Sequence, residues 1–193
     1  LYTYWLYDYA GVNPQNGNAL WRNEEGLLTE NYGEARRINA GSPEPLWTGG
    51  FNTELSWRGI SLGIQLEARY GNKVLNQDRS LFEADGSYGD SNIWKGAMNY
   101  WKKPGDTNVL PKPVYNNSSN SSAISTRYLE DGSYLRIKDI TLAYSLPSKW
   151  TKKALMSGVR IYASALNLYT FHNMNYWDPE HGTSGVTIIS CLL

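Results

Sequence analysis

A single cysteine, Cys191, in 193 residues excludes an internal disulfide framework and any zinc site built on several cysteines. Histidine is almost as scarce. His172 and His181 are the only two, and with no third ligand at a recognised spacing they read as solvated loop residues. No run of about 18 apolar residues exists, which excludes a transmembrane helix. Neither charge is in excess, with 18 basic against 18 acidic residues, so no positive field is available for nucleic acid and that class of partner is discounted. Phenylalanine is down to 3. The chain opens at Leu1 inside an aromatic run with no initiator methionine, and reads as a piece of something longer. Its length alone would suffice for one ordinary domain.

What replaces phenylalanine is tyrosine, at 15, and tryptophan, at 8. Rings with one apolar and one polar end suit membrane interfaces, sugar-binding surfaces and protein interfaces. A mean hydropathy of −0.51 does not exclude a membrane barrel, because only alternate residues of its strands touch lipid.

The clearest pattern is Phe51 to Trp57 and Ile60 to Tyr70, two alternating stretches joined by Arg58 and Gly59 alone. A two-residue hairpin loop fixes the register and pairs Trp57 with Ile60, Leu55 with Leu62, Thr53 with Ile64 and Phe51 with Leu66. One face is then apolar except at Thr53. The other carries Asn52, Glu54 and Ser56 against Ser61, Gln65 and Glu67, with Arg69 further along, and is too polar to pack dry under a second sheet. Two settings suit such a sheet: a soluble antiparallel sheet on a core, or a membrane barrel with lipid on one side and a watery or plugged lumen on the other.

Elsewhere, Leu1 to Tyr9 reads as a strand, and Ala10 to Pro45 as a long loop with a short hairpin piece at Ala19 to Arg22. Gly71 to Asp131 is a long polar segment containing the low-complexity run Asn116 to Ser122, taken as a mobile loop. Within it Trp94, Met98 and Trp101 fall at helical spacing and suggest a short amphipathic helix ended by Pro104 and Gly105. Ser133 to Leu146 is a strand that changes phase half-way. Ile140, Leu142 and Tyr144 share one face with Leu146, whereas strict alternation places Leu135 and Ile137 on the opposite one, so either a bulge intervenes or the upper half rises above the lipid. Ser148 to Met156 reads as a helical turn capped by Ser148. Val159 to Phe171 is another strand, and Val186 to Leu193 an apolar, weakly alternating one. Long connections alternate with short ones, as in outer-membrane barrels, whose loops are long outside and short on the periplasmic side.

The run DGSYLRIKDITLAYSLP (Asp131 to Pro147), then GVRIYASALNLYTF (Gly158 to Phe171), then Tyr176 to Glu180 (YWDPE), resembles the C-terminal barrel strands of the SusC/RagA family of TonB-linked outer-membrane transporters. YAGVNPQNGNALW (Tyr9 to Trp21) and WTGGFNTELSWRGISLGIQLEARYGN (Trp47 to Asn72) resemble the same family in the same order. The resemblance implies an all-β fold: about six antiparallel strands of a barrel of about 22, with long extracellular loops. It also implies a multi-pass protein of a Gram-negative outer membrane that imports oligosaccharides or peptides under a SusD-like surface lipoprotein. The TonB complex would act through an N-terminal region that, with the plug and the first strands, is absent from this chain. On this reading Asn52, Glu54, Gln65, Glu67 and Arg69 face the lumen, and Phe51, Leu55, Trp57, Leu62, Ile64 and Leu66 face outer-membrane lipid. The C-terminus departs from the family, which usually ends its last strand on an aromatic residue.

Other constellations favour bland readings. Asp85, Gly86, Gly89 and Asp90 lack the alternating carboxylates and closing glutamate of a calcium loop. Acid pairs such as Glu24 with Glu25 or Asp178 with Glu180 have no partner to shift a pKa or position water, so no enzyme activity and no cofactor are expected. Trp94 and Trp101 are the candidates for stacking on a sugar or docking a partner, against the simpler reading that they pack a loop helix onto the barrel rim. A soluble carbohydrate-binding β-sandwich is the alternative for the whole chain.

Overall fold

The structure, a computed structural model, describes residues 3–87, 92–115, 119–175 and 177–180. Its strands in chain order are β1 Trp5–Tyr7, β2 Tyr9–Val12, β3 Ala19–Arg22, β4 Leu28–Thr29, β5 Arg37–Asn39, β6 Trp47–Trp57, β7 Ile60–Tyr70, β8 Lys73–Leu75, β9 Leu129–Asp131, β10 Tyr134–Ser145 and β11 Arg160–His172. Two short helices, α1 Gln77–Phe82 and α2 Ser148–Thr151, complete the regular structure together with a few 3-10 turns. The chain divides into two units, one holding Glu44–Asn72 and Asp131–Pro179 and the other most of the remainder.

The first of these is a four-stranded antiparallel sheet in the order β11-β10-β7-β6. Its β6–β7 hairpin has the register read from the alternation, with Trp57 opposite Ile60, Leu55 opposite Leu62, Thr53 opposite Ile64 and Phe51 opposite Leu66. Arg58 and Gly59 both have positive φ, 48° and 84°, as the tight turn matched to strand twist requires. Beyond β7 the phase change is a bulge. Between Ile137 and Asp139 the register slips against both neighbours, with Lys138 extra opposite β7 and Asn167, at φ 50°, beside the slip on β11. The bulge returns Leu135 and Ile137 to the face of Ile140 and Leu142, since they lie beside Ala68 and Leu66 while Ile140 and Leu142 lie beside Ile64 and Leu62.

β6, β7, β10 and β11 run for 11, 11, 12 and 13 residues, long enough for tilted strands to cross a bilayer, which takes about 9 to 11. Of the six strands expected, these are four. The first, at Leu1 to Tyr9, is broken into β1 and the start of β2 at Asp8, whose carboxylate binds Arg36 at 2.8 Å, and the last, at Val186 to Leu193, lies outside the described residues. The two-sheet sandwich is not what forms. Phe51, Leu55 and Trp57 remain 58%, 61% and 67% exposed, which no inner face of a sandwich would allow. The turn after β10 is helical as expected, but Pro147 occupies the cap and Ser148 begins the helix, with no side-chain cap bond.

The other unit has sheets β2-β3-β4, β1-β5 and β8-β9. Trp21 and Tyr128 are fully buried within it. The indole of Trp21 donates to the carbonyl of Ser119 at 3.0 Å, and Ser119 and Ser121 are themselves buried. The described part of the serine-rich run is therefore structural rather than the loose loop its composition suggests, while residues 116–118 lie outside the description. The helix expected across Trp94 to Trp101 is only a 3-10 turn, Lys95–Met98, because the chain leaves it to bridge Tyr100 to Leu110.

Candidate functional site

Strand alternation sorts the four-stranded sheet into two chemically opposite faces. Asn52 lies opposite Gln65, Glu54 opposite Gly63, Glu67 opposite Gly50 and Arg69 opposite Thr48, so all five polar residues singled out from the pattern share one face. β10 adds Tyr134, Arg136, Asp139 and Thr141 to it. Some of the charges there are paired. Glu67 accepts from the Tyr134 hydroxyl at 2.7 Å and from Lys138 at 3.2 Å. Arg136, buried, donates to Thr170 at 2.8 Å and is ion-paired with Asp178 beyond the end of β11. The guanidinium groups of Arg69 and Arg136 lie 5.8 and 5.4 Å from the Tyr134 ring.

The opposite face carries Phe51, Leu55, Trp57, Leu62, Ile64 and Leu66, again as the alternation requires. Leu135, Ile137, Ile140 and Leu142 of β10 and Ile161, Ala163, Ala165 and Phe171 of β11 extend it sideways. Aromatic rings collect at its two ends. Trp57 and Tyr144 stand at the end of the tight turn, while Trp47, Tyr70, Tyr169 and Phe171 stand at the other. Trp47 stacks on Tyr70 at 6.2 Å and lies over Gly49, where a Cβ would come within 3.1 Å of the indole. Ten residue steps separate Trp47 from Trp57, about 33 Å of strand, or about 25 Å of height at a tilt of about 40°.

The other unit contains a buried ion cluster that pattern reading missed. Arg127 forks onto Asp85, with Nη2 at 3.0 Å from Oδ1 and Nη1 on Oδ2, and Nη1 also donates to the Ser121 carbonyl at 2.7 Å. Arg79 donates from Nε to Glu83 and from Nη1 to Glu130, both at 3.0 Å. Burial disfavours the Arg127 cation, but the hydrogen bonds and charge of Asp85 outweigh it and hold the group more firmly protonated than usual. Burial pushes the neighbouring Tyr9 hydroxyl up to about 12, so it stays neutral. Beside this cluster a cavity of about 430 Å³ is walled by Tyr9–Val12, residues 107–110, Arg79 and Arg127.

The two tryptophans singled out as candidates are held differently. Trp101 is only 9% exposed, and its indole donates to the Pro14 carbonyl at 3.0 Å while its ring lies where a Cβ on Gly17 would be. Trp94 is 37% exposed, and its backbone N–H bonds Phe82. Asp85 is committed to Arg127, and Gly89 and Asp90 of the same loop lie outside the described residues, as does His181. The signal for the ion cluster was faint. Asn76, Arg79 and Glu83 have helix-cap and i, i+4 spacing, but nothing local pairs them with Glu130 or Arg127 with Asp85.

No family model matches the chain. TonB-dependent receptor P3 of Formosa agariphila is 33% identical over 146 residues, which is 76% of this chain and 14% of the receptor. TonB-dependent receptor P26 of the same organism is 27% identical over 180 residues, 91% of this chain and 16% of that protein. Among solved structures, the RagAB peptide transporter superposes with a TM-score of 0.78 at 30% identity over 93% of this chain. The chain belongs with the SusC/RagA-like TonB-dependent receptors. The fold of the four-stranded sheet is thus that of a stretch of RagA-type barrel, and its one apolar and one polar face are what such a wall needs. This SusC/RagA-like chain spans 14% of the length of the P3 receptor and 20% of the RagAB chain it matches. These relatives are named as receptors and a transporter, not as enzymes.

Proposed function

We propose that this chain is the C-terminal part of the barrel of a TonB-dependent outer-membrane transporter, contributing barrel wall from its four-stranded sheet and external loops from its other unit. The carrying observation is the apolar band, about 25 Å high by strand geometry and closed at both ends by aromatic rings. Phe51, Leu55, Trp57, Leu62, Ile64 and Leu66 face lipid in this reading, and Asn52, Glu54, Gln65, Glu67 and Arg69 face the lumen or plug. The edges β6 and β11 pair with strands elsewhere in the receptor, because an open sheet edge in lipid would leave backbone groups unbonded. The plug and the remaining strands belong to the larger part of the protein, consistent with the share of the relatives that the chain covers.

The transporter imports oligosaccharides or peptides, capped by a SusD-like surface lipoprotein and energised by TonB through its N-terminal region. The test is deletion of the gene in a Gram-negative host that carries it, followed by uptake of a labelled peptide mixture and a labelled oligosaccharide mixture, with outer-membrane fractionation of the wild type. Loss of uptake of one mixture, with the protein in the outer-membrane fraction, is expected. Unchanged uptake of both, or recovery of the protein in a soluble fraction, contradicts the reading.

A further inference from the structure

The chain carries no net charge, but its cations are unevenly placed. Residues 140–177 include Lys149, Lys152, Lys153 and Arg160 and neither aspartate nor glutamate. In the sheet these cations gather at the end of the tight turn. The Gly59 carbonyl accepts from the N–H of Ser145 at 2.7 Å and Leu146 N–H donates to Val159 at 2.9 Å, so the Arg58-Gly59 turn and the connection 147–158 lie side by side. Arg160 donates to Ser61 at the same end at 3.2 Å, and the guanidinium of Arg58 lies 4.8 Å from the Trp57 ring. Among the described residues none of these five cations has a carboxylate partner. Glu54, three residues before Trp57 on β6, is the first carboxylate met along any of the four strands from this end, about 10 Å of strand away. The same end is apolar at its surface. Trp57 and Trp150 are 67% and 60% exposed, and Leu155 is 98% exposed at a left-handed φ of 57°. Thr151 is the buried residue of α2, and Met156 N–H donates back to its carbonyl at 3.0 Å, which closes the turn with Leu155 outside.

We propose that this end of the sheet binds anionic phospholipid headgroups, with the five cations at the phosphates and Trp57, Trp150 and Leu155 in the apolar layer beside them. A free anion would satisfy the cations but leave the exposed indoles and Leu155 in water. A zwitterionic surface would take the rings and leave the positive charge unmatched. An anionic bilayer surface meets both needs. Amphipathic rings settle at its headgroup level, its negative potential attracts nearby lysines, and lysine stems lie along apolar surface while their ammonium groups stay in water. The patch continues the apolar face of the sheet, to which Trp57 belongs, and so stands where that face meets water. In a barrel the short turns lie on the periplasmic side, which commits the occupant to the phospholipid of that leaflet rather than to the lipopolysaccharide of the other.

The proposal rests on the reading of the sheet as barrel wall. Its test uses the intact receptor in phosphatidylcholine nanodiscs doped with radiolabelled phosphatidylglycerol, phosphatidylcholine or lipopolysaccharide, with the photocrosslinker p-benzoylphenylalanine in place of Leu155 or of Ile64. From position 155, phosphatidylglycerol should be captured at least about fivefold more than phosphatidylcholine at equal mole fraction, which is what one cation near an anionic surface contributes. Lys149→Gln, Lys152→Gln and Lys153→Gln together should cut that preference at least about fivefold and leave phosphatidylcholine capture unchanged. Equal capture of the two phospholipids by the unsubstituted turn, a preference that survives the triple substitution, or stronger capture of lipopolysaccharide than of phosphatidylglycerol overturns the proposal. Absence of any lipid at position 155 while position 64 captures lipid overturns it as well, and leaves the barrel reading intact. Absence of lipid at both positions contradicts the barrel reading, and the proposal falls with it.

Discussion

In the β6–β7–β10–β11 sheet the face a side chain occupies follows from alternation along its own strand, whereas around Arg127 a side chain's place follows from residues far along the chain. Trp57 faces Ile60 across a two-residue turn, but Arg127 binds Asp85 across 42 positions and Trp21 finds Ser119 across 98. The sheet exposes its apolar residues on one face and gathers its charges on the other. The Arg127 unit instead buries its charges, holding three carboxylates against two guanidinium groups. The difference teaches what each region is built against. In the proposed reading the sheet is a wall between lipid and water, which needs a period of two and little interior, and the Arg127 unit is loop folded in water, which needs a core that a polar sequence supplies by pairing buried ions.

The largest effect should fall on the Arg127 unit and leave the sheet alone. Arg127→Met strands the buried Asp85 carboxylate and should cost about 3 to 5 kcal/mol. Hydrogen exchange on the intact receptor should show the amide of Tyr128 losing protection while that of Ile64 keeps it. Equal loss at both would erase the distinction between the regions. Next, Ile64→Arg places a charge on the apolar face and should cost about 2 to 4 kcal/mol of insertion near the bilayer midplane. Gln65→Arg, one residue along on the polar face, should change stability by about 0.5 kcal/mol or less. Fractions of folded receptor in outer-membrane extracts compare the two, and equal losses would refute the assignment of faces.

Asn167→Val sharpens the contrast within the sheet. A β-branched residue at φ 50° should cost about 1 to 2 kcal/mol, measured by urea unfolding from lipid vesicles, and no change would mean that the bulge relocates freely. The smallest effect concerns Glu30, whose carboxylate accepts from the amides of Asn18, Asn16 and Asn13 at 2.7, 2.8 and 2.5 Å. The bonds from Asn18 and Asn16 lead in depressing its pKa. Its contribution is therefore complete above the unfolded value, about 4.3, and is lost as pH falls through the lower folded value. Amide exchange in the turn at 13–18 should quicken over that interval, and Glu30→Gln should remove the pH dependence.

The hairpin and the two faces of the sheet were legible because alternation and a tight turn are local, whereas the pairing of β7 with β10 is not. The hairpin register needed only alternation and the Arg58-Gly59 turn, and the phase break within Ser133 to Leu146 was visible as a conflict that left open a bulge or an upper half above the lipid, of which the bulge at Lys138 is what forms. Trp101 and the serines show the opposite case. Helical spacing from Trp94 to Trp101 suggested a helix, but Trp101 is claimed by the Pro14 carbonyl and Gly17, and composition alone made Ser121 look loose although Arg127 binds its carbonyl. Tertiary partners decide both, and no local period records them.

The most direct test of the lipid-and-lumen account is a nitroxide scan of β7 in the intact receptor in outer-membrane vesicles, with Cys191 replaced by serine and single cysteines placed from Leu62 to Glu67. The account predicts that labels at Leu62, Ile64 and Leu66 are relaxed by oxygen dissolved in the bilayer, while those at Gln65 and Glu67 respond instead to a water-soluble nickel complex. A flat profile, or an alternation of the opposite phase, would contradict it.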